Sequence, residues 1–133
     1  MKYYVIAGEP SGDLHASNMM KELLLLDPAI EFRFWGGDLM EKVAHQKPRK
    51  HIKDLAFMGF VEVAKNIRTI FKNIAFCKQD ILEYKPDVLI LVDYPGFNLR
   101  IADWAKQQGI RVLYYISPTI WAWKENRVEI VKR

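Results

Sequence analysis

The block Val88-Leu89-Ile90-Leu91-Val92-Asp93-Tyr94-Pro95-Gly96-Phe97-Asn98 joins an apolar run to an acid, a tight turn and an amide. A buried parallel strand delivers whatever follows its carboxyl end to the mouth of a sheet, and open α/β sheets bind ligands along that edge. Asp93 is therefore a candidate general base: a carboxylate within hydrogen-bond reach of a hydroxyl can take its proton as the oxygen attacks. The plainer reading is an aspartate that caps the following turn. Position alone leaves both open. Pro95 and Gly96 stiffen and tighten the turn, and Asn98 brings an amide close to the carboxylate.

A second turn, Gly8-Glu9-Pro10-Ser11-Gly12-Asp13, separates a short apolar run from a helical pattern. Glycines let backbone approach a ligand, and free N–H groups at a helix start attract anions. The spacing matches neither the dinucleotide fingerprint nor the P-loop. Glu9 and Asp13 would also repel a phosphate. Sugar hydroxyls, which donate to carboxylates, fit better. An ordinary strand-to-helix turn with Ser11 or Asp13 as N-cap explains the same residues.

Ser117-Pro118-Thr119-Ile120-Trp121-Ala122-Trp123 sets two tryptophans after the last apolar run, where aromatic faces stack on sugars or bases or bury in the core. His15, His45 and His51 lack metal-ligand spacing, and one cysteine, Cys77, makes a zinc site a poor reading. Cys77 reads as helix packing. From Met58 to Ile74, large apolar residues mix with Lys65, Arg68 and Lys72. Phe60, Ala64, Ile67, Phe71 and Ile74 recur at helical spacing, with Val63 and Ile70 beside them. Such a helix can face the core, or lie on an anionic membrane and line an acyl groove.

The elements that must hold these residues alternate. Strands are expected at Tyr3 to Ala7, Ile30 to Trp35, Asp87 to Val92 and Arg111 to Ile116. Helices are expected at Leu14 to Leu26, Asp38 to Ala44 with Asp38 as N-cap, Phe60 to Tyr84, and Phe97 to Gln108 closed by Gly109. Gln46 to Lys53 reads as a loop with a short strand near His51. Strands alternating with crossover helices predict an α/β fold, a doubly wound parallel sheet. The helical pattern from Trp121 reaches Arg133 without a stop signal, which reads as a chain cut inside a larger protein.

At 133 residues, half of them hydrophobic and 27% charged, the composition suits one globular domain. A single cysteine excludes an internal disulfide and fits a reducing compartment. There is no basic segment followed by an apolar signal core, so the chain reads as cytoplasmic. The net charge of +4 suits an anionic substrate, a membrane surface or nucleic acid, but the basic residues are dispersed and form no nucleic-acid motif.

Four segments, taken in order, resemble the N-terminal part of lipid-A-disaccharide synthases, bacterial glycosyltransferases of the GT-B type. They are GEPSGD at Gly8 to Asp13, MGFVEV at Met58 to Val63, KPDVLILVDYPGFN at Lys85 to Asn98, and SPTIWAW at Ser117 to Trp123. The resemblance implies a Rossmann-like, acceptor-side N-terminal half over residues 1–133, with a UDP-binding C-terminal domain beyond it. It implies transfer of 2,3-diacylglucosamine from its UDP conjugate to 2,3-diacylglucosamine 1-phosphate (lipid X), with inversion and without a metal or cofactor. Asp93 matches the family's essential aspartate. Glu9, Ser11, Gly12, Asp13, Pro95, Asn98, Ser117 and Trp121 are implied at the substrate site. Val61, Val63, Ile67, Ile70 and Phe71 are implied as an acyl-binding and membrane-associating surface on the inner membrane. A homo-oligomer is left open, and the fragment alone is expected to be inactive. Another UDP-sugar-dependent GT-B transferase and a standalone flavodoxin-like binding domain are the competing readings.

Overall fold

The structure, a computed structural model, describes residues 1–59 and 67–115, without the side chains of 56–59. In chain order the elements are β1 (Lys2–Ala7), α1 (Pro10–Leu26), β2 (Glu31–Trp35), α2 (Asp38–Ala44), a 3-10 segment (Ile52–Gly59), α3 (Ile67–Tyr84), β3 (Val88–Val92), α4 (Pro95–Gln107) and β4 (Val112–Tyr115). The expected residues 60–66 of the long helix, and the region from Ile116 to Arg133, lie outside the described residues.

Among the described residues the strands form one all-parallel sheet in the order β2-β1-β3-β4. Side chains alternate between its faces, as the period of two requires. Tyr4, Ile6, Trp35, Leu89, Leu91 and Tyr114 pack on α3 and α4 through Ile74, Cys77, Ile81, Phe97 and Ile101. Val5, Ala7, Phe32, Phe34, Ile90 and Val92 pack on α1 and α2 through Ala16, Met20 and Met40. Helices thus cover both faces, and the central strands read as unbroken apolar runs for that reason. Cys77 is buried in α3, and burial pushes its thiol pKa up.

The exposed edge of β2 is covered by the segment that follows α2. Arg49 N–H donates to Phe34 O at 2.8 Å, and Ile52 N–H donates to Gly36 O at 3.0 Å. The Gln46 amide takes Phe32 O. An irregular cover of this kind blocks edge-to-edge pairing. The short strand expected near His51 is a single bridge from Gly36 to His51.

A buried polar cluster ties α3 to the sheet. Trp35 Nε1 donates to Tyr4 Oη at 2.8 Å, and Tyr4 Oη donates to Asp80 at 2.7 Å. Arg33 and Arg49 each reach Asp80 at 3.0 Å. The carboxylate is 2% exposed, so its partners replace the lost water.

Two helix starts differ from the sequence expectation. Glu9, not Ser11 or Asp13, is the N-cap residue of α1, and no side chain caps it. Pro10 occupies the first turn, where a missing N–H removes a donor that would otherwise lack a partner. Gly37, not Asp38, is the N-cap residue of α2. Its side-chain cap comes from another element: Asp13 accepts from Gly37 N–H at 2.8 Å and from Leu39 and Met40 N–H at 3.1 Å. A carboxylate three residues into α1 can do this because α1 and α2 share one face of the sheet. Asp38, freed from capping, pairs with His51 at 2.9 Å, which holds its carboxyl below the usual range.

Candidate functional site

Strand β1 lies between β2 and β3, so successive crossovers depart in opposite directions from the β1–β3 boundary. Ala7 pairs with Val92, and the chain leaves both strands at one level. The loops beginning at Gly8 and Asp93 are therefore neighbours at a topological switch point, where open α/β sheets leave a crevice for ligands. This brings the two sequence turns together.

Contact between them is close. A Cβ built on Gly8 would stand 2.4 Å from the Tyr94 ring, so only glycine fits there. Gly12 is buried where α1 crosses the strand ends, and a Cβ there would be 3.3 Å from that of Ala7. Glu9 and Ser11 are exposed at the rim. Burial, and secondarily the charge of Glu9, push the Tyr94 hydroxyl up to about 12. It is a neutral hydrogen-bonding group at physiological pH.

Asp93 sits immediately after β3 and is 5% exposed. Its φ is 48°, and that of Tyr94 is 53°. Two successive non-glycine residues in the left-handed region store about 1–2 kcal/mol each. The surrounding hydrogen bonds hold them there. Asp93 N–H donates to Tyr115 O at 2.9 Å. Asp93 O accepts from Asn98 Nδ2 at 2.9 Å and from the Tyr114 hydroxyl at 2.7 Å. Strained backbone of this kind concentrates at active sites and ligand clamps.

Asn98 is fully buried, and its amide nitrogen also faces Ile6 O at 3.3 Å and Val92 O at 3.4 Å. It knits the ends of β1 and β3 together beneath the loops. Pro95 opens α4 and is half-buried. Gly12 and Asp13 are buried, and both carboxylate oxygens of Asp13 already accept backbone N–H groups of α2. Ser117, Trp121, Val61 and Val63 lie outside the described residues.

On α3, Ile67 and Phe71 are 45% and 55% exposed, one turn apart, with Arg68 and Lys72 exposed beside them. Ile70 turns inward and packs against the core, as does Ile74. Over residues 67–74 of α3, the exposed apolar pair is Ile67 and Phe71, and Ile70 and Ile74 are not part of it. Among the described residues, no three His, Cys, Asp or Glu side chains lie close enough to hold a metal ion.

Tyr114 is the residue that sequence reasoning missed at this site. It sits in an alternating strand segment, where its type signals only a half-buried face. Its hydrogen bond to Asp93 depends on β4 lying beside β3, which no local pattern encodes.

These features define a doubly wound, Rossmann-like α/β domain that carries a carboxylate at its switch point. A family model described as Lipid-A-disaccharide synthetase matches residues 3–133. The chain is 45% identical over 129 residues to the lipid-A-disaccharide synthase of Geobacter metallireducens, covering 97% of the chain and 33% of that protein. It is 43% identical over 124 residues to that of Nitrosococcus oceani, covering 93% and 32%. It is 40% identical over 129 residues to lipid-A-disaccharide synthase 1 of Legionella pneumophila strain Philadelphia 1, covering 96% and 33%. The chain belongs to the lipid-A-disaccharide synthetase family. It spans about a third of the length of these curated relatives.

Proposed function

We propose that this chain is the acceptor-side domain of an inverting lipid-A-disaccharide synthase. The observation that carries the reading is Asp93, held at the β1–β3 switch point of a chain that belongs to this family. The acceptor is 2,3-diacylglucosamine 1-phosphate (lipid X), and the donor is UDP-2,3-diacylglucosamine. The acceptor 6-hydroxyl oxygen attacks the anomeric carbon from the face opposite UDP. The bond to the diphosphate breaks, and UDP departs with its electron pair. Positive charge develops on the sugar ring, as in other glycosyl transfers. Asp93 accepts the hydroxyl proton. The product is the β-1′,6-linked disaccharide 1-phosphate.

Glu9 and Ser11, exposed on the rim beside Tyr94, are suited to accept hydrogen bonds from sugar hydroxyls. Ser117 and Trp121 follow β4 in the sequence and are proposed at the same substrate site. The relatives are about three times longer, which supports a second domain that holds UDP. Holding two large lipids in line contributes much of the remaining barrier reduction.

Both substrates carry acyl chains anchored in a bilayer. Among the described residues no helix is long and apolar enough to cross one. The exposed pair Ile67 and Phe71, flanked by Arg68 and Lys72, supports peripheral docking on the anionic inner-membrane surface.

The test is Asp93→Ala in the full-length enzyme. Loss of a general base is expected to lower turnover by about 10²–10⁴-fold with the circular dichroism spectrum retained. Turnover near that of the unaltered enzyme would remove Asp93 from the base role.

A further inference from the structure

We propose that Tyr114 is a positioning residue: its hydroxyl fixes the left-handed Asp93–Tyr94 pair and, through it, the direction of the Asp93 carboxylate. The inference rests on the reading of Asp93 as the base.

The Asp93 carbonyl is the point where three elements meet. Tyr114 reaches it from β4 at 2.7 Å, and Asn98 reaches it from α4 at 2.9 Å. Asn98 in turn touches Ile6 O of β1. The amide of Asn98 has one tenable orientation, because turning it over would set its oxygen against three carbonyls. Its Oδ1 is consequently left buried without a hydrogen-bond partner. The two donors on Asp93 O therefore come from buried side chains on two different elements, α4 and β4.

Packing does not explain the Tyr114 hydroxyl. The ring belongs to an apolar cluster with Leu91, Phe97 and Ile101, where phenylalanine would pack as well. The hydroxyl supplies a donor that phenylalanine lacks, and it donates to the peptide between two left-handed residues. Left-handed backbone at non-glycine residues persists only where its surroundings over-determine it. Release of one donor lets that peptide turn toward the right-handed region. As Asp93 itself leaves the left-handed region its φ and ψ change, and its carboxylate is no longer held in one direction. Displacement by about 1 Å suffices to cost on the order of 100-fold in rate.

The test uses the full-length enzyme. Tyr114→Phe is expected to lower kcat about tenfold or more while KM for both substrates stays unchanged. The thermal midpoint should move by no more than a few degrees. In an Asp93→Ala background, Tyr114→Phe should produce no further loss of the residual turnover, because a positioning residue has nothing left to position. An unchanged kcat, an effect confined to KM, or an equal loss in the Asp93→Ala background would each overturn the proposal. These outcomes are distinct from failure of the base reading, which would show as an active Asp93→Ala enzyme.

Discussion

Gly8 and Tyr94 are locked together across the switch point: a single added carbon on Gly8 would enter the Tyr94 ring, 2.4 Å from Cδ2 and Cε2. The end of β1 and the turn after β3 thus act as one unit. Gly8→Ala is expected to displace the ring, lower stability by about 1–3 kcal/mol, and reduce turnover of the full-length enzyme. Adding Tyr94→Ala should recover part of the stability that Gly8→Ala removes. Independent, additive losses in urea unfolding would mean that the two residues do not couple.

Asp13 does structural work at the rim of the site. It supplies the cap that α2 lacks, accepting three backbone N–H groups from Gly37, Leu39 and Met40. Asp13→Ala is expected to reduce stability by roughly 2 kcal/mol, the upper range for loss of a helix cap. Asp13→Asn should lose less, since one oxygen survives as an acceptor. Equal stability of all three proteins in denaturant titration would show that the cap is energetically idle.

Alkaline conditions should unfold the protein through its buried hydroxyls and thiol. Burial raises the pKa of Tyr94 from 10.0 to about 12, and Tyr4, Tyr84 and Cys77 are raised in the same direction. Each folded group holds its proton more tightly than its unfolded counterpart. Their stabilisation is complete below the unfolded pKa values and is lost as pH rises. The decline should begin near pH 9, where the unfolded thiol starts to ionise, and for Tyr94 should continue to about pH 12. Each such group contributes a slope of about 1.4 kcal/mol per pH unit within its window. Urea midpoints measured from pH 8 upward check this, and Tyr94→Phe should flatten the curve between pH 10 and about 12.

Membrane docking through α3 makes a separable claim. Replacing both Ile67 and Phe71 with serine should weaken association of the full-length enzyme with vesicles containing anionic lipid, with little change in stability. Both side chains are already exposed, so the core loses nothing. Ile70→Ser should instead destabilise the fold, because Ile70 packs against the core. Unchanged flotation of the double variant with vesicles would return this helix face to plain solvent exposure.

Local chemistry was enough to read much of this protein. The apolar runs at Tyr3 to Ala7 and Val88 to Val92 mark buried strands because both of their faces are covered. Gly109, with φ at 77°, closes α4 as a glycine after a helix is expected to. Asp93 stands at the carboxyl end of its strand, as the pattern of apolar run, acid and turn requires. The four ordered motifs were legible for the same reason, since they are contiguous in the chain.

Other features depended on which elements meet in space. The capping of α2 by Asp13 spans 24 residues from acceptor to first donor, so residue type near Gly37 pointed to Asp38 instead. The inward turn of Ile70 and the exposure of Phe71 follow from how α3 lies on the sheet; helical spacing leaves the buried stripe free to shift around the axis. The strand order that sets Gly8 against Tyr94, and β4 beside β3 so that Tyr114 meets Asp93, is a property of the assembled sheet. Sequence determines the periodicity and the turn chemistry, because these act within a few residues. Only tertiary structure decides which distant side chains share a hydrogen bond, because that depends on strands paired across the whole domain.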